Sequence, residues 1–388
     1  MATAKTIFSQ IMDLIHPEQF HRCVARYDGN YKVHHFSCWD QFLAMSFAQL
    51  TYRESLADIE VCLRSHADQL YRMGFRSPVA HSTLADANRS RDWHIYADLA
   101  QQLIRYARKL YAQEPLEVEL SQTVYALDST TIDLCLSLFP WARFRSTKAA
   151  VKLHTLLDLR GSIPSVITIS EGKQADVRLL DELIPEPGAF YVMDRGYVDF
   201  QRLYQLELGG AFFVTRTKAG VKLNRLESRP VTPGTGVVSD HIVWLTQPQS
   251  AAHYPDRLRR VHYKDPETGK HLVFLTNNFD LPAEVIAALY HRRWSVELFF
   301  KWIKPHLRIK HFFGNTDNAV KIPIWIAICV YVLVAIVRKE LKLEVSLSQV
   351  LQVLSVNVFE QVLLPELFVN FKPRNLPNDC CKQLMLWN

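Results

Sequence analysis

The sequence lacks the cysteine patterns of a disulfide framework or a structural zinc site. Its seven cysteines are an odd number, and no C-x-x-C pair occurs among them. The first twenty residues do not have the layout of a secretory signal peptide either, because charged residues interrupt them. We therefore expect reduced thiols and a cytoplasmic location.

The sequence also lacks a convincing membrane span, low-complexity tracts and tandem repeats. One apolar run, residues 322–337, has sixteen residues. A transmembrane helix needs roughly 20. Lys321 and Arg338 flank the run, and Pro323 lies near its start. The favoured interpretation is a fully buried helix in a large core, without membrane association.

The positive charge is modest in total but concentrated in one stretch. The formal net charge is +6, and residues 290–311 alone carry +5, because Glu297 is the single acid among six arginines and lysines. A local basic field of this kind favours a polyanionic partner such as nucleic acid. A solvated helix face with long charged side chains is the alternative.

Residues 1–117 are expected to form a helical N-terminal domain, because apolar residues recur there at three- and four-residue spacing. Ser82 and Thr83 resemble a helix start, and Arg89 and Arg91 follow them. This segment is compatible with a helix-turn-helix-like unit that contacts DNA. A purely structural helical bundle is an equally open alternative, because no recognition helix stands out.

The pattern changes to strands near residue 118. Three predicted strands precede alternating helices and strands, in the order β-β-β-α-β-α-β, which favours an α/β fold with a mixed sheet. A long helix is predicted over residues 282–304, with Pro282 in its first turn and Pro305 ending or kinking it. The expected divisions are 118–218 and 273–345 for one interrupted core, 219–272 for a turn-rich antiparallel β insertion, and 346–388 for a C-terminal helical segment.

Two aspartates follow predicted core strands. Asp128 comes after the apolar run VYAL, and Asp194 comes after FYVM. Ligands gather at the carboxyl ends of strands in α/β sheets, so the pair is a plausible site for a divalent cation. Each aspartate could equally cap a helix or turn.

A third acidic residue, Glu297, lies on the predicted long helix among an aromatic and several cations. At 100° per residue, Glu297 shares an arc of roughly 80° with Tyr290, Arg293, Lys301 and Lys304. The opposite side of the helix carries apolar residues that can pack on a core. Carboxylates that hold metal ions beside cations that neutralise phosphates are what DNA phosphoryl transfer requires. A salt-bridged surface glutamate is the alternative.

These residues resemble a known family. The spacing Tyr290-x2-Arg293-x3-Glu297-x6-Lys304 matches the Y-R-E-K signature of insertion-sequence transposases, in particular the insertion-sequence-4 family. The blocks ALDSTTIDL and VMDRGYVD, around Asp128 and Asp194, resemble the corresponding family blocks. The resemblance implies a ribonuclease H-like catalytic core with a β insertion between the second aspartate and the glutamate.

The resemblance also implies a mechanism. Asp128, Asp194 and Glu297 would be the catalytic triad and would bind two Mg²⁺ (or Mn²⁺) ions for nicking at the element end, hairpin formation and strand transfer. Tyr290 and Arg293 would hold a phosphate near the cleaved end. The implied partners are DNA and, in the synaptic complex, a second copy of the chain, with the protein on the bacterial nucleoid when it binds DNA.

Further contacts are less specific. Lys304 would contact the end DNA, and Trp244 or Trp294 would stack a base flipped out beside the cleavage site. Other candidate DNA contacts are Lys301, Arg195, Lys148, Lys152 and His154, and Asp133 and Asp158 are rival carboxylates. The competing functions are a related nuclease or recombinase that does not join strands, and a DNA-binding protein with a decayed site.

Overall fold

A computed structural model describes residues 5–116, 118, 120–134, 142–145, 148–306 and 315–369. Helices fill its N-terminal part, as the apolar spacing predicts. Hydroxyl side chains start several of them, and Ser37 forms a capping box with Asp40 at the start of the third. The helices in this part are α1 (Ile7–Met12), α2 (Pro17–Arg26), α3 (Cys38–Leu50), α4 (Leu56–Ser65), α5 (His81–Ser90) and α6 (His94–Tyr111).

Part of the segment suggested as a DNA-contacting unit has a structural role. Ser82 and Thr83 lie inside the first turn of α5, which begins one residue earlier and has no side-chain cap. The Arg91 guanidinium is buried and donates hydrogen bonds to the Ser37 carbonyl (2.8 Å) and to Gln41 Oε1 (2.9 Å). Arg91 therefore fastens α5 to α3 and is not free to contact DNA.

The apolar run 322–337 lies within α12 (Asp317–Glu340). By length and composition alone this helix is long and apolar enough to cross a membrane. Its side chains from residue 322 to 337 are all buried inside the protein, where α12 packs against α3, α5 and α6. The helix therefore joins the N-terminal helices and the sheet in one apolar core, as expected for a buried core helix.

The rest of the described chain is a mixed sheet with helices, which confirms the α/β prediction. The strands are β1 (Val124–Leu134), β2 (Arg143–Arg145), β3 (Lys148–Asp158), β4 (Ile163–Glu171), β5 (Phe190–Met193), β6 (Phe212–Arg216), β7 (Leu223–Arg229), β8 (Val237–Leu245), β9 (Leu258–Lys264) and β10 (His271–Thr276). The order β-β-β-α-β-α-β is confirmed, with β2 as one additional short strand. Hydrogen bonds join the strands in the order β2-β3-β1-β5-β6-β10-β9-β8-β7, and β4 pairs with β3.

The centre of this sheet is compatible with a ribonuclease H-like core. β1, β3 and β4 are antiparallel neighbours, whereas β1, β5 and β6 are parallel. α7 (Leu179–Glu182) lies between β4 and β5, and α8 (Phe200–Leu208) connects the parallel strands β5 and β6. The turn-rich residues 219–272 contain antiparallel strands and α9 (Pro248–His253), and β10 joins these strands to β6.

The long helix expected over 282–304 is two helices, so that prediction is wrong in this detail. α10 (Ala283–Arg292) ends before Arg293, and α11 (Trp294–His306) begins directly after that residue. The backbone N–H groups of Arg293 and Val296 donate to carbonyls three residues earlier, which tightens the turn and interrupts the α-helical pattern. Pro305 lies in the last turn of α11 and does not end it.

The C-terminal helices pack back onto the beginning of the chain. α13 (Leu347–Val356) starts with a capping box at Ser346, and α14 (Glu366–Val369) follows. The backbone N–H of Ile7 donates to the Glu360 carbonyl (2.8 Å). The remainder of the expected C-terminal segment, 370–388, lies outside the described residues.

A buried ion pair joins β8 to β9. Arg259 donates two hydrogen bonds to Asp240 (3.0 and 2.7 Å), and both side chains are almost completely buried. Arg259 also donates to the backbone carbonyls of Asn278 and Leu281, just before α10. One guanidinium thus ties the antiparallel strands to the approach to the helix that carries Tyr290.

We predict that Arg259→Met lowers the free energy of unfolding by about 3–5 kcal/mol, because it leaves the buried Asp240 carboxylate without its closest partner. Urea denaturation at pH 7.5 measures this loss. Lys5→Met is the matched control, because it breaks an ion pair with Asp13 that is exposed on both sides and should cost about 0–1 kcal/mol. Equal losses in the two variants would contradict this role for the buried pair.

Candidate active site

The side-chain alternation of two neighbouring parallel strands places Asp128 and Asp194 together. Val124 and Ala126 of β1 belong to the core beneath α11 and α12, and Asp128 continues that face of the strand. β1 pairs with β5 in parallel so that Leu127 lies opposite Met193. Asp128 is the next residue after Leu127, and Asp194 is the next residue after Met193. Two aspartates therefore leave adjacent strands at the same edge.

Tyr290, near the end of α10, contacts the second aspartate. Its hydroxyl donates to Asp194 Oδ1 (3.3 Å). Its ring is buried and packs against Phe274 of β10, with ring centroids 4.8 Å apart. Burial first, and then the charge of Asp194, raise the pKa of Tyr290, whereas Arg293 lowers it. The hydroxyl therefore stays protonated and donates to the carboxylate.

Arg293, at the turn between α10 and α11, bridges the other two acidic residues. Its Nη1 lies 2.9 Å from Asp128 Oδ2, and its Nη2 lies 2.6 Å from Glu297 Oε1. The Arg293 side chain is 13% exposed. One guanidinium thus connects a strand-borne aspartate to Glu297 in the first turn of α11.

The helix face around Glu297 agrees with the prediction from spacing. Val296, Phe299, Trp302 and Ile303 are buried in the core, while the Glu297 carboxylate remains partly exposed. The apolar side of α11 fixes the helix on β1, β3 and α12. Core packing therefore sets the position from which the glutamate approaches the aspartates.

Asp128 interacts electrostatically with the other two carboxylates. The pKa of Asp128 is raised to about 6, chiefly by burial; the Ser129 backbone N–H and Arg293 act to lower it, whereas the charges of Glu297 and Asp194 add to the rise. The pKa of Arg293 is itself raised, since its acidic partners and Tyr290 outweigh the effect of burial. Asp128 is thus a partly desolvated carboxylate close to two others, held ionised mainly by one arginine and one backbone N–H.

A second polar cluster lies on the opposite face of β1. Ser129 Oγ donates to Asp176 Oδ1 (2.6 Å), and Lys152 Nζ donates to the same oxygen (2.9 Å). His154 is buried beside them, with Nδ1 4.0 Å from Asp176 Oδ1. Lys152 and His154 therefore face Asp176, which does not favour the role of DNA contacts suggested for them.

Sequence reasoning missed Asp176. It starts a short 3₁₀ turn, Asp176–Arg178, where an acid looks like an ordinary helix-start residue. The pairing of β3 with β1 and β4 brings Lys152 and His154 to the same side as Ser129. That register depends on pairing between distant segments. No local pattern in the sequence therefore indicated that Asp176 would be the partner of Lys152 and His154.

The remaining candidate DNA contacts lie farther out. Lys301 and Lys304 are exposed on α11, and Lys301 Nζ lies 5.7 Å from the centre of the Trp294 ring. Arg195 is exposed directly after Asp194, and Trp244 on β8 is 48% exposed. The side chain of Lys148 lies outside the described residues.

The rival carboxylates do not join the three acids. Asp133 is exposed, and the continuous strand β1 points it to the face opposite Asp128. Asp158 is buried near the start of β1, opposite Tyr125, and is paired with Arg108 (3.2 Å). Neither side chain approaches the Arg293 bridge.

The three carboxylates suit a hard divalent cation by their chemistry, because carboxylate oxygens are the ligands that Mg²⁺ prefers. The negative charges of Glu297 and Asp194 help to raise the pKa of Asp128, and a bound cation would offset this repulsion. Within the described part of the chain, no group of three His, Cys, Asp or Glu side chains stands ready to hold a metal ion. The three carboxylates thus fit a metal ion by their chemistry but are not arranged around one cation position, and the Arg293 guanidinium lies between Asp128 and Glu297.

Comparison with known proteins places the chain in a family. The family model described as a transposase DDE domain matches residues 119–333. A domain of unknown function (DUF4372) matches residues 3–76.

Curated relatives have consistent names. The chain is 34% identical over 264 residues to a putative transposase, y4zB, of Sinorhizobium fredii, covering 66% of this chain and 71% of the relative. It is 30% identical over 243 residues to a probable transposase for insertion sequence element IS5377 of Geobacillus stearothermophilus, covering 62% and 61%. It is 26% identical over 320 residues to a putative transposase for insertion sequence element IS4SA of Synechocystis, covering 81% and 87%.

The matches agree with the resemblance that Tyr290, Arg293, Glu297 and Lys304 carry in the sequence. With the acidic residues gathered at one edge of a mixed sheet, they identify the chain as a member of the DDE transposases of insertion sequences, an enzyme that acts on DNA.

Proposed function

We propose that the protein catalyses cut-and-paste transposition of an insertion sequence, with Asp128, Asp194 and Glu297 as the catalytic triad. The observation that carries the proposal is their convergence through Tyr290 and Arg293. Tyr290 contacts Asp194, and Arg293 contacts both Asp128 and Glu297. Contacts with Tyr290 and Arg293 thus support a shared site for acids from β1, the residue after β5 and α11, beside exposed lysines.

In this proposal the triad holds two Mg²⁺ (or Mn²⁺) ions. When bound, such ions activate a water or a 3′-hydroxyl as the nucleophile and stabilise the departing oxygen. The sheet contributes rigid placement of the two aspartates, and the apolar side of α11 contributes the placement of Glu297. End nicking, hairpin formation on the opposite strand and transfer to target DNA are the steps that the family pattern suggests.

The surrounding residues are proposed to bind DNA. Tyr290 and Arg293 hold a phosphate near the cleaved end, and the exposed side chains of Lys301, Lys304 and Arg195 contact the backbone. Either Trp244 or Trp294 stacks a flipped base. Trp294 lines a cleft of about 510 Å³ next to Arg293, whereas Trp244 is exposed on β8.

The proposed domain organisation places this site in the catalytic core. Residues 118–218 and 273–345 form the ribonuclease H-like core, and 219–272 form its β insertion; the C-terminal helical segment begins at residue 346, and the structure describes it to residue 369. Residues 1–117 form a helical N-terminal domain, whose DNA-binding role is part of the proposal. The enzyme acts as a homodimer on two element ends, in the cytoplasm and on the nucleoid.

We predict that Asp128→Ala, Asp194→Ala and Glu297→Ala each reduce cleavage at the element end to background, because each removes one ligand of the metal site. DNA binding should persist in all three, as measured by gel shift with a duplex carrying the element's end. Asp133→Ala is the matched control: it removes an exposed carboxylate from the same strand as Asp128 and should cut normally. Near-normal cutting by any triad variant would remove that residue from the site.

Strand joining separates the proposed transposase from a nuclease. We predict that the unmodified protein, given Mg²⁺, a pre-cleaved element end and plasmid DNA, joins the 3′-hydroxyl end to the plasmid. Gel analysis of the plasmid products measures joining, and a 3′-deoxy end serves as the control. Efficient cutting without joining would favour the alternative, a related nuclease or recombinase.

Substitution of Lys304 tests the proposed phosphate contacts. We predict that Lys304→Gln weakens end binding and lowers the slope of log affinity against log salt by about 1, the loss of one phosphate contact. Lys342→Gln, which changes an exposed lysine after the end of α12, should leave the slope unchanged. An unchanged slope for Lys304→Gln would exclude a phosphate contact for this side chain.

A further inference from the structure

Arg293 occupies the space in which a cation shared by Asp128 and Glu297 would lie. Its two terminal nitrogens contact one oxygen of each carboxylate, at 2.9 and 2.6 Å. A metal ion such as Mg²⁺ takes carboxylate oxygens at about 2.0–2.1 Å. A guanidinium and a metal ion therefore compete for the same oxygen atoms.

In this position the Arg293 guanidinium offsets the negative charge of Asp128 and Glu297. Three carboxylates that are partly removed from water repel one another, and an unpaired buried charge is strongly destabilising. Among the ion pairs of the described residues, Arg293 provides the cation that contacts Asp128 and Glu297. It holds the acids together in the protein without DNA, and it carries one positive charge where a metal ion would carry two.

Two features favour departure of the guanidinium when a better partner arrives. The Arg293 Nε atom is buried and has no hydrogen-bond partner among the described residues, so the fork is incompletely satisfied. Arg293 also lines a cleft of about 510 Å³ together with Tyr290, His291 and Trp294, and Asp265, Glu267 and Glu284 line the same cleft. A phosphate bound beside Arg293 in that cleft would offer the planar fork a bidentate partner.

We propose that Arg293 is an exchangeable counter-ion: it fills the triad in the DNA-free protein, and a DNA phosphate draws it away so that the carboxylates can take divalent metal. The inference rests on the proposed function of the triad. By linkage, a phosphate that removes Arg293 raises metal affinity, and metal raises affinity for that phosphate by the same factor. The enzyme would thus assemble its metal site on DNA and keep it closed elsewhere.

The test is Mn²⁺ affinity of the full chain, measured by calorimetry and by electron paramagnetic resonance, with and without a duplex of the element's end. Without DNA, Arg293→Gln should bind Mn²⁺ about tenfold more tightly than the unmodified protein, within the usual range of coupling between two sites. The gain in Mn²⁺ affinity on adding DNA should be larger in the unmodified protein than in Arg293→Gln.

Lys342→Gln is the control, because it removes one positive charge at an exposed position outside the proposed DNA contacts. It should leave Mn²⁺ affinity without DNA within a factor of about two, since an exposed charge is well screened. Equal Mn²⁺ affinity in Arg293→Gln and the unmodified protein would overturn the proposal, as would an equal gain with DNA.

A second measurement covers the case in which Arg293→Gln does not fold. The unmodified protein should bind Mn²⁺ more tightly with a cleaved end that carries a 5′-phosphate than with one that carries a 5′-hydroxyl; equal affinities would overturn the proposal. The triad itself is checked separately with Asp128→Ala and Glu297→Ala. If these variants lose Mn²⁺ binding while the Arg293 predictions fail, the exchange is wrong and the triad stands. If they keep it, the triad is wrong.

Discussion

The repulsion between three acidic side chains at one edge of the sheet is the constraint on which this site depends. Asp128, Asp194 and Glu297 come from separate elements, and burial makes their proximity costly, as the raised pKa of Asp128 indicates. Arg293 offsets that cost by contacting two of them, while the Tyr290 hydroxyl donates to the third. Tyr290 and Arg293 of the family signature are thus in direct contact with the acids before any DNA is present.

The fold places these groups through packing on both sides of the sheet. Parallel pairing of β1 with β5 puts the two aspartates side by side, and α11 rests its apolar side on β1, β3 and the buried helix α12. Further out, Arg259 ties the antiparallel strands to the segment that leads into α10. The separation of Asp194 and Glu297 in the sequence therefore has little effect on their separation in space, because rigid elements bring both to one edge.

Much of this arrangement could be predicted from local patterns. Apolar runs ending in aspartate placed Asp128 and Asp194, and helical spacing placed Glu297 with Tyr290 and Arg293. Features that depend on tertiary contacts could not be predicted. The helix divides at Arg293, where backbone hydrogen bonds join residues three apart instead of four. Arg91 is buried by its contacts with α3. Asp176 escaped notice because only strand pairing brings Lys152 and His154 to it.

The central claim is that residues from β1, the end of β5 and α11 form one cation site. Iron-directed cleavage tests it most directly: Fe²⁺ replaces Mg²⁺ in the complex of the protein with the element's end, and peroxide and ascorbate cut the backbone near the bound ion. The account predicts cuts close to Asp128, Asp194 and Glu297 together, all suppressed by excess Mg²⁺. Cuts near only one of the three acids, or cuts that persist in excess Mg²⁺, would contradict it.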